Sequence, residues 1–242
     1  MWNAIMWGTI AASATLAGAL IVLKFSIPKR IIGFIMALGT GALIGATTFE
    51  LLADALELSG FKEVAFGFLG GALIFTILDI LVSKKGGHQR KESSGQTQAA
   101  SGSGLGIFIG TIMDTLPESA MIGMSLIGGD SVSLALVISI FISNLPEGIS
   151  STVGLQKSGY TKKKIIVLWA FVVFFSALSS WGGVLLESAS DSVKALMGAF
   201  AGGAIISMIA STMMPEAYKE GGPSVGIITA IGLFISLWLH HV

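Results

Sequence analysis

The chain contains no cysteine, which removes disulfides, thiolate metal ligands and cysteine nucleophiles in one step. Charge is nearly as scarce. Asp, Glu, Lys and Arg make up 12% of its 242 residues, against about 25% in ordinary globular proteins. Acids and bases balance at 14 each, for a formal net charge of zero, so nothing points to a nucleic-acid partner. Histidine occurs three times, at His88, His240 and His241, and no H-E-x-x-H occurs. What the chain has in excess is apolar residues, 53% of the total. A soluble domain of this size could not hide that much apolar surface. The class is an all-α integral membrane protein in contact with membrane lipid.

Apolar runs of about 20 residues, the length that crosses a bilayer, lie near 4–23, 31–57, 63–83, 105–127, 132–156, 165–187, 193–217 and 224–240. Eight transmembrane helices are therefore expected. The opening run lacks a basic n-region and reads as a first membrane helix, not a cleaved signal peptide. The only linker is the Gly/Ser/Gln-rich stretch 84–104, expected to be a flexible cytoplasmic loop. Otherwise 1–242 reads as a single transmembrane transporter domain. Twelve of the 14 basic residues collect on one side, from Lys24, Lys29 and Arg30 to Lys164 and Lys219, and only Lys62 and Lys194 lie on the other. Basic loops stay cytoplasmic, so a cell-membrane protein with both termini outside is expected.

Two segments resemble each other. Laid over GAIISMIASTMMPEA (203–217), GALIGATTFELLADA (41–55) matches Gly41 with Gly203, Ile44 with Ile206 and Asp54 with Glu216. With eight spans these are helices two and seven, crossing in opposite senses, as in the inverted repeats of many secondary transporters. Helices one to three and six to eight would form related triplets around helices four and five. Chance matching between two Gly/Ala-rich helices is the alternative.

Those two central runs carry the chemistry. DTLPES (114–119) and SNLPEG (143–148) place acids and prolines where lipid disfavours both. A charge at a helix centre costs roughly 2.5–3.5 kcal/mol on insertion scales. Asp114, Glu118 and Glu147 together would then cost on the order of 7–10 kcal/mol, comparable to a whole protein's net stability. Asp114 and Glu118 are four apart, hence on one helix face, and Ser143 and Glu147 repeat that spacing. Thr115 and Asn144 bring further oxygens. Pro117 and Pro146 lack an N–H, so the carbonyls of Met113 and Ile142 lose helical partners. An all-oxygen set of this kind suits a hard or borderline divalent cation. Three carboxylates this close cannot all stay ionised without a counter-charge, so the empty site is expected to hold a proton that entering metal displaces.

Two consecutive helices with x-P-E-[GSA] phrases, eight runs, a polar loop after the third, FELLADA in helix two and MMPEA in helix seven resemble the ZIP (Zrt/Irt-like) divalent-metal transporters. The resemblance covers nearly the whole chain. It implies a transporter moving zinc, manganese or iron into the cytoplasm, with the metal as transported substrate and no resident cofactor. Family motifs read His-Asn-x-Pro-Glu-Gly, and carried over they make Asp114, Thr115, Glu118, Ser143, Asn144 and Glu147 the metal ligands. Asp114 and Ser143 stand at the histidine positions. Every intramembrane histidine of the pattern is therefore gone, and zinc as the particular cargo is put in question. The family's helix-six acid falls on Ser180, and its helix-two His-Leu-Leu-Pro-Glu reads Glu50-Leu51-Leu52-Ala53-Asp54 here.

Plainer readings stand beside these. The three acids could serve packing through hydrogen bonds to neighbouring helices, and Ser143, Thr115 and Asn144 could simply bond between helices. Glu50 and Asp54 fit an outer entrance or a solvated mouth. Glu216 fits an exit ligand or a pair with Lys219. Asp79 fits ion pairing with Lys84 or Lys85. His88, His240 and His241 read as surface residues, the last two with a weak metal-collecting role as the alternative. A metal sensor or assembly subunit without transport, and an intramembrane enzyme, are the competing functions. A homodimer is compatible with the sequence.

Overall fold

A computed structural model describes residues 1–84, 103–127 and 132–241. The interior of the expected linker, with His88, lies outside the described residues. Helix α1 spans Trp2–Lys24 and α2 Lys29–Ala46. A π-helical turn, Thr47–Leu52, continues α2 into the short α3, Ala53–Leu58. Then come α4, Phe61–Ser83; α5, Ser103–Met124; α6, Leu134–Lys157; and α7, Lys162–Val184. The chain ends in α8, Asp191–Met208, a second π-turn at Ile209–Met213, α9, Met214–Gly221, and α10, Val225–His240.

Local chemistry sets these boundaries. Pro28 cannot donate a backbone N–H and stands as the N-cap of α2. Ser133 and Thr161 cap α6 and α7 by accepting from Leu136 N at 3.2 Å and Lys164 N at 3.3 Å. Both α5 and α6 run on through their internal prolines, Pro117 and Pro146.

By length and composition, seven of the described helices can cross a membrane, not the expected eight. Residues 193–217 and 224–240, expected as separate spans, belong to one helical stretch of 50 residues, Asp191–His240. A 3-10 turn at Gly222–Ser224 bridges α9 and α10. Gly222 sits at φ 69°, where a side chain would be strained, and the stretch doubles back there. Gly202 lies against Thr47 and Ala217 against Gly33, whereas Thr229 lies against Gly41 and Ser236 against Gly45, so the two limbs run along α2 in opposite senses. The arrangement of triplets 1–3 and 6–8 around helices four and five rested on eight separate spans and is corrected with them. What the two matched segments share is local: each widens into a π-turn at the corresponding positions.

Without a hydrophobic drive between helices in lipid, association depends on close backbone approach through small residues. The buried positions of α1 are Ala, Gly and one Thr. α6 is the most enclosed span, buried over 72% of its apolar window, against 22% for α4. It packs on α1 and α2, while α4 packs on α8 and α7 on α1 and α5. Large apolar side chains of α4, such as Phe66, Leu69 and Leu73, are exposed as lipid-facing groups would be.

The α4–α8 contact makes a sharp test. A Cβ at Gly71 would collide with the Phe200 carbonyl, whereas one at the neighbouring Gly70 meets nothing within 4 Å. Gly71→Ala is expected to cost about 1–3 kcal/mol, as overpacking does. Gly70→Ala is expected to be neutral or to gain up to about 1 kcal/mol of helix propensity. Thermal unfolding of the two purified variants in detergent compares them, and equal midpoints would contradict this packing.

Candidate functional site

All six oxygen-bearing residues of the paired motifs are buried in α5 and α6. Asp114, Glu118 and Asn144 are 0% exposed, and Thr115, Ser143 and Glu147 are 1% exposed. A contact of 3.4 Å between the Thr111 and Ser151 hydroxyls fixes the register of these antiparallel helices. Counting about 1.5 Å of rise per residue from that contact, Thr115 comes level with Glu147 and Glu118 level with Asn144. Asp114 lies within about 1.5 Å of the height of Glu147 on the same count. The structure thus brings the two motifs to one depth.

Close approach of α1 and α2 seals this level. A Cβ on Gly148 would strike the Thr15 backbone, one on Gly18 the Leu145 carbonyl, and one on Gly39 the Ser143 Cα. Small residues on three helices therefore exclude solvent from Glu147 and its neighbours.

The neutral ligand candidates are held in defined orientations. Thr115 Oγ1 donates to the Thr111 carbonyl at 2.7 Å, and Ser143 Oγ donates to the Ile140 carbonyl at 3.0 Å. Each hydroxyl spends its proton on its own helix and keeps lone pairs to offer. Asn144 Nδ2 donates to the Ala11 carbonyl of α1 at 3.4 Å, and its Oδ1 has no hydrogen-bond partner among the described residues. Buried hydroxyls of Thr40, Ser119, Ser139 and Ser150 are also without partners among the described residues. Such atoms typically cost about 1–3 kcal/mol each, so this interior is polar beyond what packing requires. No group of three or more His, Asp or Glu side chains among the described residues lies close enough to hold a metal ion. Asp114, Glu118 and Glu147 share a depth but do not form a closed carboxylate shell.

The remaining sequence candidates sort differently. Ser180 donates to the Ala4 carbonyl at 2.8 Å and packs against Gly8, tying α7 to α1. Glu216 is 4% exposed and pairs with Lys219 at 3.6 Å. Glu50 and Asp54 line a cavity of about 190 Å³ with Met124, Ser125 and Lys194. Along α5, Met124 is six residues from Glu118, or about 9 Å. His240 is exposed, as expected of a surface residue. Its Nδ1 lies 2.7 Å from Glu50 Oε1, and its ring stacks on Phe49 with centroids 5.8 Å apart. Nothing local in the sequence signals a contact spanning 190 positions.

The zinc transporter GufA of Myxococcus xanthus is 27% identical over 246 residues, covering 94% of this chain and 96% of that protein. A zinc-transporter candidate of Arabidopsis thaliana is 24% identical over 217 residues, 88% of this chain. The chain spans about a third of the plant protein's length, 34%. No family model matches the chain. The chain is thus distantly similar to two proteins named as zinc transporters. The described histidines, His240 and His241, stand at the end of α10.

Proposed function

We propose that the protein is a divalent-metal transporter whose cargo passes between α5 and α6. The observation that carries this reading is the set of six oxygen-bearing side chains, all at most 1% exposed, brought to one depth on two contacting helices. Resemblance to proteins named as zinc transporters supports the transport class. The metal is substrate here. Asp114, Glu118 and Glu147 supply charge, and Thr115, Ser143 and Asn144 supply neutral oxygens that replace part of the ion's hydration. Without a closed carboxylate shell the ion is held by a mixed set, suited to release as well as capture. The cavity bounded by Glu50 and Asp54 lies about two helical turns from Glu118 and is the access route in this reading. An oxygen-only set favours manganese or ferrous ion more than a histidine-bearing site would.

Uptake into proteoliposomes across a panel of divalent cations tests the proposal. Saturable flux of at least one cation is expected. Metal binding without flux would make the protein a sensor or assembly subunit, and turnover of lipid or peptide without flux would make it an enzyme.

Orientation is part of the same reading. His240 pairs with Glu50, and Met1 shares a cavity with Val184, Leu185 and Ser188. This supports placing both ends of the chain on the side away from the basic loops, that is, outside. With no native cysteine to react, Ser26→Cys is expected to label only with membrane-permeant reagents in intact cells, and Ser188→Cys with impermeant ones. Labelling of position 26 from outside would reverse the orientation.

A further inference from the structure

At the opposite end of the α2–α3 run from the Glu50 cavity is a larger pocket of about 480 Å³, between the end of α1, the start of α2 and the end of α6. Three lysines line it, Lys24, Lys29 and Lys157, and no acid does. None of the three makes an ion pair among the described residues. Lys24 lies over the Phe25 ring at 5.3 Å. The neighbouring Lys162 is engaged with the Leu23 carbonyl at 3.4 Å.

Two of these charges have a local explanation. Lys24 and Lys157 occupy the last turns of α1 and α6, where the helix dipole favours a cation. Lys29 has none. It begins α2, an 18-residue helix with no side-chain cap and no acid in its first turn. There the dipole and the free N–H groups favour an anion, yet the chain places Lys29 and Arg30 side by side. A helix amino end, two further lysines and a cavity open to its surroundings converge on one requirement, a bound anion.

We infer that this pocket holds the phosphate headgroup of an anionic membrane lipid. The pocket lies where the spans Trp2–Lys24 and Lys29–Leu58 end, at headgroup depth. Basic pockets between membrane helices are suited to such headgroups. Below the lysines its wall is apolar, with Val22, Ile32 and Val153. That wall suits glycerol and acyl carbons, which free phosphate lacks. Phe25, 58% exposed at the rim, is placed like an interfacial aromatic. The inference does not depend on which ion the protein carries, or on its carrying one.

Native mass spectrometry of full-length protein from mixed micelles tests it, with phosphatidylglycerol, phosphatidylcholine or inorganic phosphate as probe. Phosphatidylglycerol is expected to stay bound and to raise the unfolding temperature, while phosphatidylcholine does neither. The triple change Lys24→Gln, Lys29→Gln, Lys157→Gln is expected to weaken phosphatidylglycerol binding about tenfold or more. A control with equal charge loss outside the pocket, Lys84→Gln, Lys163→Gln, Lys164→Gln, is expected to bind as the native chain does. Unfolding in phosphatidylcholine micelles establishes that both variants are folded, and Lys29→Gln alone repeats the test should the triple variant fail there. Equal loss in the control would reduce the effect to general electrostatics and overturn the site. Undiminished binding by the folded pocket variant would do the same. Binding of inorganic phosphate as tight as that of the lipid would overturn the lipid as occupant.

Discussion

Glu118→Gln and Glu147→Gln are each expected to abolish most divalent-cation uptake while leaving the protein folded and inserted. Glutamine keeps the shape of glutamate, so the close packing around Gly18, Gly39 and Gly148 is undisturbed. Removing a charge from a span also lowers its insertion cost, so neither change should reduce expression. What is lost is a charged ligand in a region that is at most 1% exposed. Interactions of ionised groups in such settings are worth about 1.5–3 kcal/mol, or about ten- to a hundredfold in an equilibrium constant. Thr115→Ala removes one neutral oxygen whose proton is already committed to the Thr111 carbonyl, and its effect should be a few-fold at most. Initial uptake rates in proteoliposomes, normalised to reconstituted protein, separate the cases. Native rates in both Gln variants would mean that cargo does not pass this level, and the proposed route would fail with them.

The depth of those residues was legible because the physics is local. Two x-P-E phrases inside apolar runs announce buried acids, and i, i+4 spacing puts Asp114 with Glu118 and Ser143 with Glu147 on shared faces. Their common height follows from antiparallel helices of similar length, and the Thr111–Ser151 contact agrees with it. That the three carboxylates do not close into one shell was not legible, because periodicity fixes the face of a helix but not the distance between two faces. The span count failed for a related reason. Glycine and proline in GGPS mark a break between two apolar runs, but the chain crosses that point in a single 3-10 turn and its helical stretch continues. The Glu50–His240 contact had no sequence signal, since it depends on the fold-back at Gly222 that lays α10 along α2. Pro117 and Pro146 offer no N–H to the carbonyls of Met113 and Ile142, and both helices nevertheless continue through them. Ser179 Oγ donates to the Leu116 carbonyl at 2.7 Å, tying α7 to α5 beside Pro117.

Replacing the oxygen ligands by imidazole is expected to turn the selectivity of the protein toward zinc. Asp114 and Ser143 stand where the resembled ZIP motif has histidine, and both are buried at the level of Glu118 and Glu147. Carboxylate and hydroxyl suit manganese, while imidazole suits zinc, whose affinity already exceeds that of manganese at most nitrogen and oxygen sites. The double change Asp114→His, Ser143→His should therefore raise the zinc-to-manganese uptake ratio on the order of tenfold. The two positions differ in how well they accept a larger ring. Gly39 packs directly on the Ser143 backbone, so histidine there is expected to cost stability as overpacking does, about 1–3 kcal/mol. Asp114→His alone exchanges side chains closer in size and should give a smaller shift in the same direction without that cost. Competition between the two cations, measured on native, single and double variants of known unfolding temperature, distinguishes a ligand from a packing residue. If Asp114 only holds α5 against its neighbours, the single variant will lose stability with its zinc-to-manganese ratio unchanged. A folded Asp114→His protein with the native ratio would remove Asp114 from the ligand set and leave Glu118 and Glu147, with the neutral oxygens beside them, to carry the ion.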